Sequence, residues 1–492
     1  MVMKKCFNVL LTAAMIAMGL VISSCEKDNT TPETPDAPQW DKQAKYTIMF
    51  YGCGGGDIDE QLEGALEDLV KELGVEKNQV RYTVMYSMSA TDKEFLKTYR
   101  GEKGKTYRYE LHKNTDLTKE GYRSKYFYKN ASEVELYKAS TLADFIKWSK
   151  ETAPADNYIL ELVNHGGGFD LSTEVLTKGI IYDDNHLDAD KQGIGVSIAT
   201  IAEALKTTNT HLKAIYWNGC MMGLLEVLTE VAPYCDYQFA SSHVARSDSH
   251  HVVDLVRTLN SQPDDFEKMA VEHASMLIGD GEDDADSMLY PFKYATDKQG
   301  KPKKENCDMG CWKSSKLADI NAQVKKLGEL LVKAYQSYKL SVDTATSWVY
   351  LYELSYGYAD VLDYALKLEE CLDDEDLKAE AHTIATNLSK AIDAACMYRI
   401  NGVFVKDAHG KDVAPKTGGF SLGISLYAGQ REDEYSYDDK GKARYKASAF
   451  DKAVGWSKWM DINEFRVSAD QEHPNITNPA NDSSRELFWL DY

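Results

Sequence analysis

Three things are scarce in this chain, and each scarcity excludes something. Basic charge is the first. The sequence holds 56 Lys and Arg against 78 Asp and Glu, for a formal net charge of -22, and no basic patch stands out. Nucleic acid is therefore set aside as a partner. Such acidity keeps an exported protein soluble more often than it selects a cationic ligand. Long apolar runs are the second scarcity: hydrophobic residues are 43% and charged residues 27% of a 492-residue chain. That is the composition of a globular protein of two or three domains, and not of a membrane-spanning or disordered one. Cysteine is the third, with nine in all, too few and too scattered for a disulfide scaffold. No internal repeat is present.

The one apolar run of note is at the beginning. Lys4 and Lys5 precede an apolar stretch from Val9 to Ile22, followed by Ile22-Ser23-Ser24-Cys25. The stretch is too short to span a bilayer after cleavage. The pattern resembles a bacterial lipoprotein signal, which makes 1–24 a signal peptide and Cys25 the lipidated first residue. Residues 25–42, rich in Thr, Pro, Asp and Glu, read as a disordered tether. Glu26-Lys27-Asp28 resembles the surface-export signal of Bacteroidetes lipoproteins. The expected location is the outer membrane, at the cell surface or on the periplasmic face.

Without Cys6 and Cys25 the mature chain keeps seven cysteines, an odd number that leaves at least one thiol unpaired. Cys220 is the candidate. Cys307 and Cys311 have the wrong spacing for a zinc site and no second pair, though a local disulfide would fit.

Along the chain, Tyr46–Tyr51 and Val80–Tyr86 read as strands, with a helix between them on Ile58, Leu62, Leu66, Leu69 and Val70, capped by Asp57. Thr106–His112 reads as an antiparallel strand and Thr141–Trp148 as an amphipathic helix. Tyr158–Val163 is the next strand, and 170–195 is expected to be a loop. Ser197 caps a helix through Leu205, Leu212–Trp217 is a strand, and a helix over Leu224–Val231 leads to a strand over Tyr237–Ser242. This alternation predicts a parallel sheet between two helical layers. Beyond about Asp248 the pattern turns helical, over Ile320–Ser341, Asp374–Cys396 and Phe450–Trp459. A strand at about 418–428 is expected to return to the sheet.

Two strand exits carry chemistry. Tyr158–Val163 ends in Asn164-His165-Gly166-Gly167-Gly168-Phe169, and Leu212–Trp217 ends in Asn218-Gly219-Cys220. In an α/β sheet, strand carboxyl ends converge on one crevice. A cysteine and a histidine meeting there form a nucleophile pair, in which the Cys220 thiolate attacks a carbonyl and His165 protonates the leaving amine. Backbone N–H groups of Gly166 and Cys220 would receive the oxyanion. A rival reading joins the His-Gly-Gly-Gly run to Gly419-Phe420-Ser421-Leu422-Gly423 as the oxyanion loop and nucleophile elbow of a lipase. That elbow must turn from strand into helix, whereas Ser421 runs into another strand-like segment.

These motifs resemble the clostripain family of cysteine peptidases, which is related in fold to caspases, gingipains and legumain. The resemblance rests on the histidine-glycine loop, Ile181-Tyr182-Asp183-Asp184, Asn218-Gly219-Cys220-Met221-Met222-Gly223 and Glu226. It implies a caspase-like α/β three-layer sandwich with a mostly parallel sheet, a His165/Cys220 dyad, and cleavage of protein or peptide substrates after Arg or Lys. It also implies self-cleavage between the dyad residues, for which Lys178 and Lys191 are candidates. The chain departs from the family at Asn218, where an aspartate lies near the pocket for the basic side chain. Loss of that carboxylate removes the obvious partner for a cation. Asn218, Ser241 and Ser242 are the candidate substrate-binding residues.

No cofactor is required by this chemistry. Asp280, Glu282 and Asp284 could hold calcium, as clustered carboxylates suit hard cations, although a solvated acidic loop is the favoured explanation. The expected organisation is a catalytic domain over 43–250 and a mainly helical region over 251–492. The expected protein is a monomeric, lipid-anchored endopeptidase. The alternative is a surface binding protein that kept the fold and lost catalysis.

Overall fold

The computed structural model describes residues 43–55, 58–90, 101–169, 179–188, 193–242, 245, 250–277, 308–349, 351–353, 358–401, 405–406, 412–413, 425–427 and 439–463. The signal segment, the tether, Lys178, Lys191, Ser421 and the acidic run with Asp280, Glu282 and Asp284 lie outside them. No described helix is long and apolar enough to cross a membrane.

Nine strands form the main sheet. They are β1 (Ala44–Cys53), β2 (Val80–Ser87), β3 (Lys105–Leu111), β4 (Phe127–Asn130), β5 (Ala155–Val163), β8 (Leu212–Asn218), β9 (Cys235–Ala240), β10 (Asp308–Lys313) and β13 (Cys396–Asn401). Across the sheet the order is β13-β10-β9-β8-β5-β1-β2-β3-β4. The five strands from β9 to β2 run parallel, and antiparallel pairs extend the sheet at both edges. Parallel strands covered on both faces must be apolar on both. Accordingly, β1 sends Ile48 and Phe50 to one face, Met49 and Tyr51 to the other, and buries all four.

The first face is covered by α1 (Asp59–Glu72), α6 (His250–Ser261) and α7 (Phe266–Leu277). Leu62, Leu66, Leu69 and Leu73 recur at helical spacing on α1 and are all buried. The second face is covered by α3 (Ala139–Thr152), α4 (Ile198–Thr207), α5 (Leu225–Val231) and α8 (Leu317–Tyr335). Ser197 caps α4, its hydroxyl accepting the N–H of Thr200. Helices α10 (Val361–Cys371) and α11 (Glu375–Ala395) begin on Asp360 and Asp374, each accepting two backbone N–H groups.

Several expectations change. The helix α1 starts from Ile58 with no side-chain cap bond, and Asp57 lies outside the described residues. The segment expected as a loop holds an antiparallel hairpin, β6 (Ile180–Leu187) with β7 (Gly193–Val196). The helix expected over Ile320–Ser341 ends at Tyr335, and a second, α9 (Lys339–Trp348), follows. Gly455, at φ +73°, divides the last expected helix into α13 (Ala449–Val454) and α14 (Ser457–Ile462), after α12 (Asp439–Ala447).

The strand expected at about 418–428 is found at Ser425–Tyr427, and it does not join the main sheet. It pairs instead with Tyr358–Asp360, which pairs with Leu351–Glu353, in a separate three-stranded sheet. The C-terminal half returns β10 and β13 to the main sheet, because β9 leaves an open edge that β10 fills in antiparallel sense.

Candidate active site

The site lies where β5 and β8 end side by side. Their ladder pairs Ile159 with Ala214 and Val163 with Asn218, a constant offset of 55 residues. His165 and Cys220 are separated by the same 55 residues, so each lies two residues beyond the last pair of the ladder. Neighbouring strands run about 4.8 Å apart, so the two exits that carry His165 and Cys220 lie side by side. His165 is exposed and Cys220 half-buried.

Glycines make this approach close. A Cβ on Gly166 would stand 2.1 Å from the Cys220 carbonyl oxygen and 2.8 Å from its nitrogen; one on Gly219 would stand 2.9 Å from the Asn164 oxygen. Side chains at 166 or 219 would push the two exits apart. Gly166 bridges to Ile180, and the bond at that bridge runs from Gly167 N–H to Gly179 O at 2.8 Å. The N–H of Gly166 is thus not taken by that bond. Met221, directly after the cysteine, has φ +58°, a left-handed conformation uncommon for a residue with a side chain. The turn that presents Cys220 is therefore sharp. The backbone N–H of Ala245 donates to Cys220 Sγ at 3.3 Å.

The other described thiols are in a different situation. Burial pushes Cys235 and Cys396 up to about 12 and Cys371 up to about 11, and it holds Cys53 and Cys311 well above the ordinary thiol range. All are free, Cys311 included. Inert core thiols are the expected result.

The histidine loop is held from three directions. Asn164 donates through Nδ2 to Cys53 O at 2.6 Å and accepts Tyr182 N–H at 3.1 Å, tying β5 to β1 and β6. The Tyr358 hydroxyl donates to Gly167 O at 2.8 Å. Phe169 stacks edge-on against Tyr445, whose hydroxyl donates to the buried Glu226 at 2.7 Å. Gly168, at φ +75°, has no room for a Cβ beside Tyr358 and Leu224. On the cysteine side, Gly223 N–H donates to Ser241 O at 2.7 Å and the Ser242 hydroxyl to Gly223 O at 3.1 Å. Both serines are buried, and these bonds brace the cysteine turn.

Asn218 was marked by sequence, but its partner was not. Its Nδ2 donates at 3.0 Å to Glu161, an acid buried in the middle of β5, and the Tyr82 hydroxyl donates to the other carboxylate oxygen. Burial raises the Glu161 carboxyl to about 7, against the opposing pull of these two bonds. An acid inside the apolar run Tyr158–Val163 was the signal available for it. Asn164, Tyr358 and Tyr445 also escaped, because their roles depend on contacts distant in sequence. Among the described residues no cluster of three or more His, Cys, Asp or Glu could hold a metal ion.

The clostripain family model matches residues 86–462. The chain belongs to the clostripain family. Clostripain of Hathewaya histolytica is 26% identical over 224 residues, which cover 42% of this chain and 40% of that protein. The match thus spans well under half of that curated relative. Two solved structures share the fold. A secreted C11 cysteine protease from Bacteroides thetaiotaomicron, in complex with an irreversible peptide inhibitor, has a TM-score of 0.56 and 14% identity. It covers 84% of this chain and 100% of its own. An inactive zymogen C11 protease from Parabacteroides distasonis has a TM-score of 0.52 and 14% identity, covering 85% and 99%. At such identities these two establish the clostripain-type, caspase-like architecture alone.

Proposed function

We propose that this clostripain-family chain is a cysteine endopeptidase acting through Cys220 and His165. The observation that supports the reading is the β5–β8 register, whose last pair, Val163 and Asn218, lies two residues before His165 and Cys220 on each segment. Cys220 Sγ attacks the scissile carbonyl carbon, and the carbonyl electron pair moves to the oxygen, received by the N–H groups of Gly166 and Cys220. Collapse breaks the C–N bond, with His165 giving its proton to the leaving amine. Water, deprotonated by His165, then cleaves the thioester, releases the carboxylate product and returns the thiolate.

Asn218 lines the pocket for the side chain preceding the scissile bond, while Ser241 and Ser242 support the cysteine turn beside it. The family's preference for Arg or Lys is expected to persist in weakened form, since an amide replaces the fixed carboxylate. Lys178 and Lys191 are the candidate self-cleavage positions, on the two sides of β6. The protein works as a monomer anchored in the outer membrane through lipidated Cys25, with calcium at Asp280, Glu282 and Asp284 as an optional structural ion.

The test is a peptide-library digest with wild type and Cys220→Ala, together with labelling by peptidyl acyloxymethyl ketones carrying basic, acidic and apolar residues. Cleavage and labelling that vanish together in the variant are expected. An unlabelled, uncleaved wild type would leave a binding protein on a peptidase scaffold.

A further inference from the structure

The strand β6 is tied to the histidine loop near its start and to a different part of the domain near its end. At the start, Gly166 bridges to Ile180, Gly167 N–H donates to Gly179 O, and Tyr182 N–H donates to Asn164 Oδ1. Cys53 Sγ donates to Tyr182 O at 3.1 Å. Between these ties the buried Ile181 has φ +62°, an outlying backbone conformation for a β-branched residue. Such strain persists only where the surroundings hold it.

The tie at the other end is His186. Its Nδ1 lies 2.8 Å from Asp183 Oδ2, and its Nε2 lies 3.2 Å from the carbonyl oxygen of Ser132, in the 3₁₀ turn Ala131–Glu133. Tyr137 packs edge-on against the ring. The Asp183 side chain is fully buried, and its other oxygen accepts Asn185 N–H at 3.1 Å. Both ring nitrogens thus face acceptors. A neutral imidazole has one N–H and can satisfy only one of them, whereas the imidazolium satisfies both. The contacts fit the charged ring.

We propose that His186 is a positioning residue of this peptidase: its imidazolium pins β6 to the turn at Ser132, and the strand passes that hold to Asn164 and Gly167 in the histidine loop. The inference rests on the peptidase reading above and gives the hairpin a part in it. The bond to Asp183 raises His186 above the ordinary histidine value. The pin is therefore complete below that ordinary value, about 6.5, and is lost as pH rises through the folded-state value. Losing the Nε2 proton breaks the bond to Ser132 and releases one end of a strained strand.

The ionisable groups around this corner are Asp183, Asp184 and Asp188 on or just after β6, Tyr51 and Cys53 on β1, and Glu133, Glu135, Tyr137 and Lys138 beside Ser132. The loop after β5 adds His165, and β7 adds none. Burial holds Tyr51 and Cys53 well above their ordinary range, and burial with the bond to Glu135 pushes Tyr137 up to about 12. These three stay neutral across the window. Bonds from Lys138 and Tyr137 hold Glu135 below its ordinary range, so it stays charged. The dyad also titrates, but it is common to wild type and to a variant at 186. A ratio of the two removes it.

The experiment measures kcat and KM of the full-length protein from pH 5.5 to 9, on the peptide cleaved fastest in the library digest, for wild type, His186→Gln and Asp183→Asn. At pH 5.5 the kcat of wild type exceeds that of His186→Gln about tenfold, as the loss of one charge-assisted bond allows. KM is alike in the two, and the kcat ratio falls toward one by pH 9. In Asp183→Asn, which removes the carboxylate from the ring, the fall moves to lower pH. Two further measurements use wild type. The 15N-histidine spectrum, assigned with His186→Gln, shows both His186 nitrogens protonated at pH 6. Hydrogen exchange over residues 164–168, corrected for the intrinsic effect of pH, loses about tenfold of its protection as His186 titrates. A kcat ratio independent of pH, unchanged protection, or a ring neutral at pH 6 overturns the inference while leaving the peptidase intact. Wild type that cleaves no peptide and is not labelled at Cys220 overturns the peptidase reading instead, and the spectrum and the exchange still decide whether the pin exists. The exchange in wild type decides it even if His186→Gln fails to fold.

Discussion

The two faces of the central strands, compared at the level just below the dyad, are built differently from adjacent residues of the same chain. On one face stand Glu161, Asn218 and Tyr82, joined by hydrogen bonds and continuing in register toward His165 and Cys220. On the other face, one residue along each strand, stand Leu162 and Trp217, both fully buried among α3, α4, α5 and α8. Period-two alternation lets a single strand carry machinery on one side and stability on the other. Substitutions on the two faces should therefore be separable by what they damage.

The comparison breaks most readily at its functional end. His165→Ala is expected to lower kcat/KM on the order of a thousandfold or more and to leave the melting temperature nearly unchanged, because the side chain is exposed. Steady-state kinetics beside thermal melts check this. On the opposite face, Trp217→Ala should cost about 3–5 kcal/mol by denaturant unfolding, with the remaining folded fraction fully labelled at the cysteine.

A pH experiment sharpens the contrast. The folded-state carboxyl of Glu161, near 7, lies above the unfolded value of about 4.3. The native state thus binds the extra proton between those values. Stability is full below the unfolded pKa and is lost as pH rises toward 7, by up to about 3 kcal/mol. Melts from pH 4.5 to 8 should show this slope, and Glu161→Gln should flatten it; a Leu162 variant should keep it. The smallest expected effect belongs to Asn164→Ala, about 1–3 kcal/mol from its unmade buried bonds. A moderate fall in kcat as the histidine loop loosens should accompany it.

Much of this molecule can be read in its sequence where function follows from local pattern. The apolar runs of β1, β2, β5, β8 and β9 and the residues at their exits needed no long-range information. The hairpin β6–β7 was hidden because Asp183, Asp184, Asn185 and His186 lack an apolar alternation; Asp183 instead holds His186 and Asn185. The strands β10 and β13 are short, and β13 starts immediately after a 21-residue helix, so their pairing is fixed by tertiary contact alone. Glu161 was visible as a letter and invisible as a partner: the strand register pairs it with Tyr216, and only the hydrogen bond from the diagonal neighbour Asn218 shows what it holds.

The bond from Tyr358 to Gly167 spans 191 residues, and the contact from Tyr445 to Phe169 spans still more. A chain is made from its N-terminus, so His165 and Cys220 both exist long before either tyrosine that holds the histidine loop. A nascent chain holds the reacting groups without the frame that fixes them. Vectorial synthesis thus makes these two contacts on the histidine loop among the last to form.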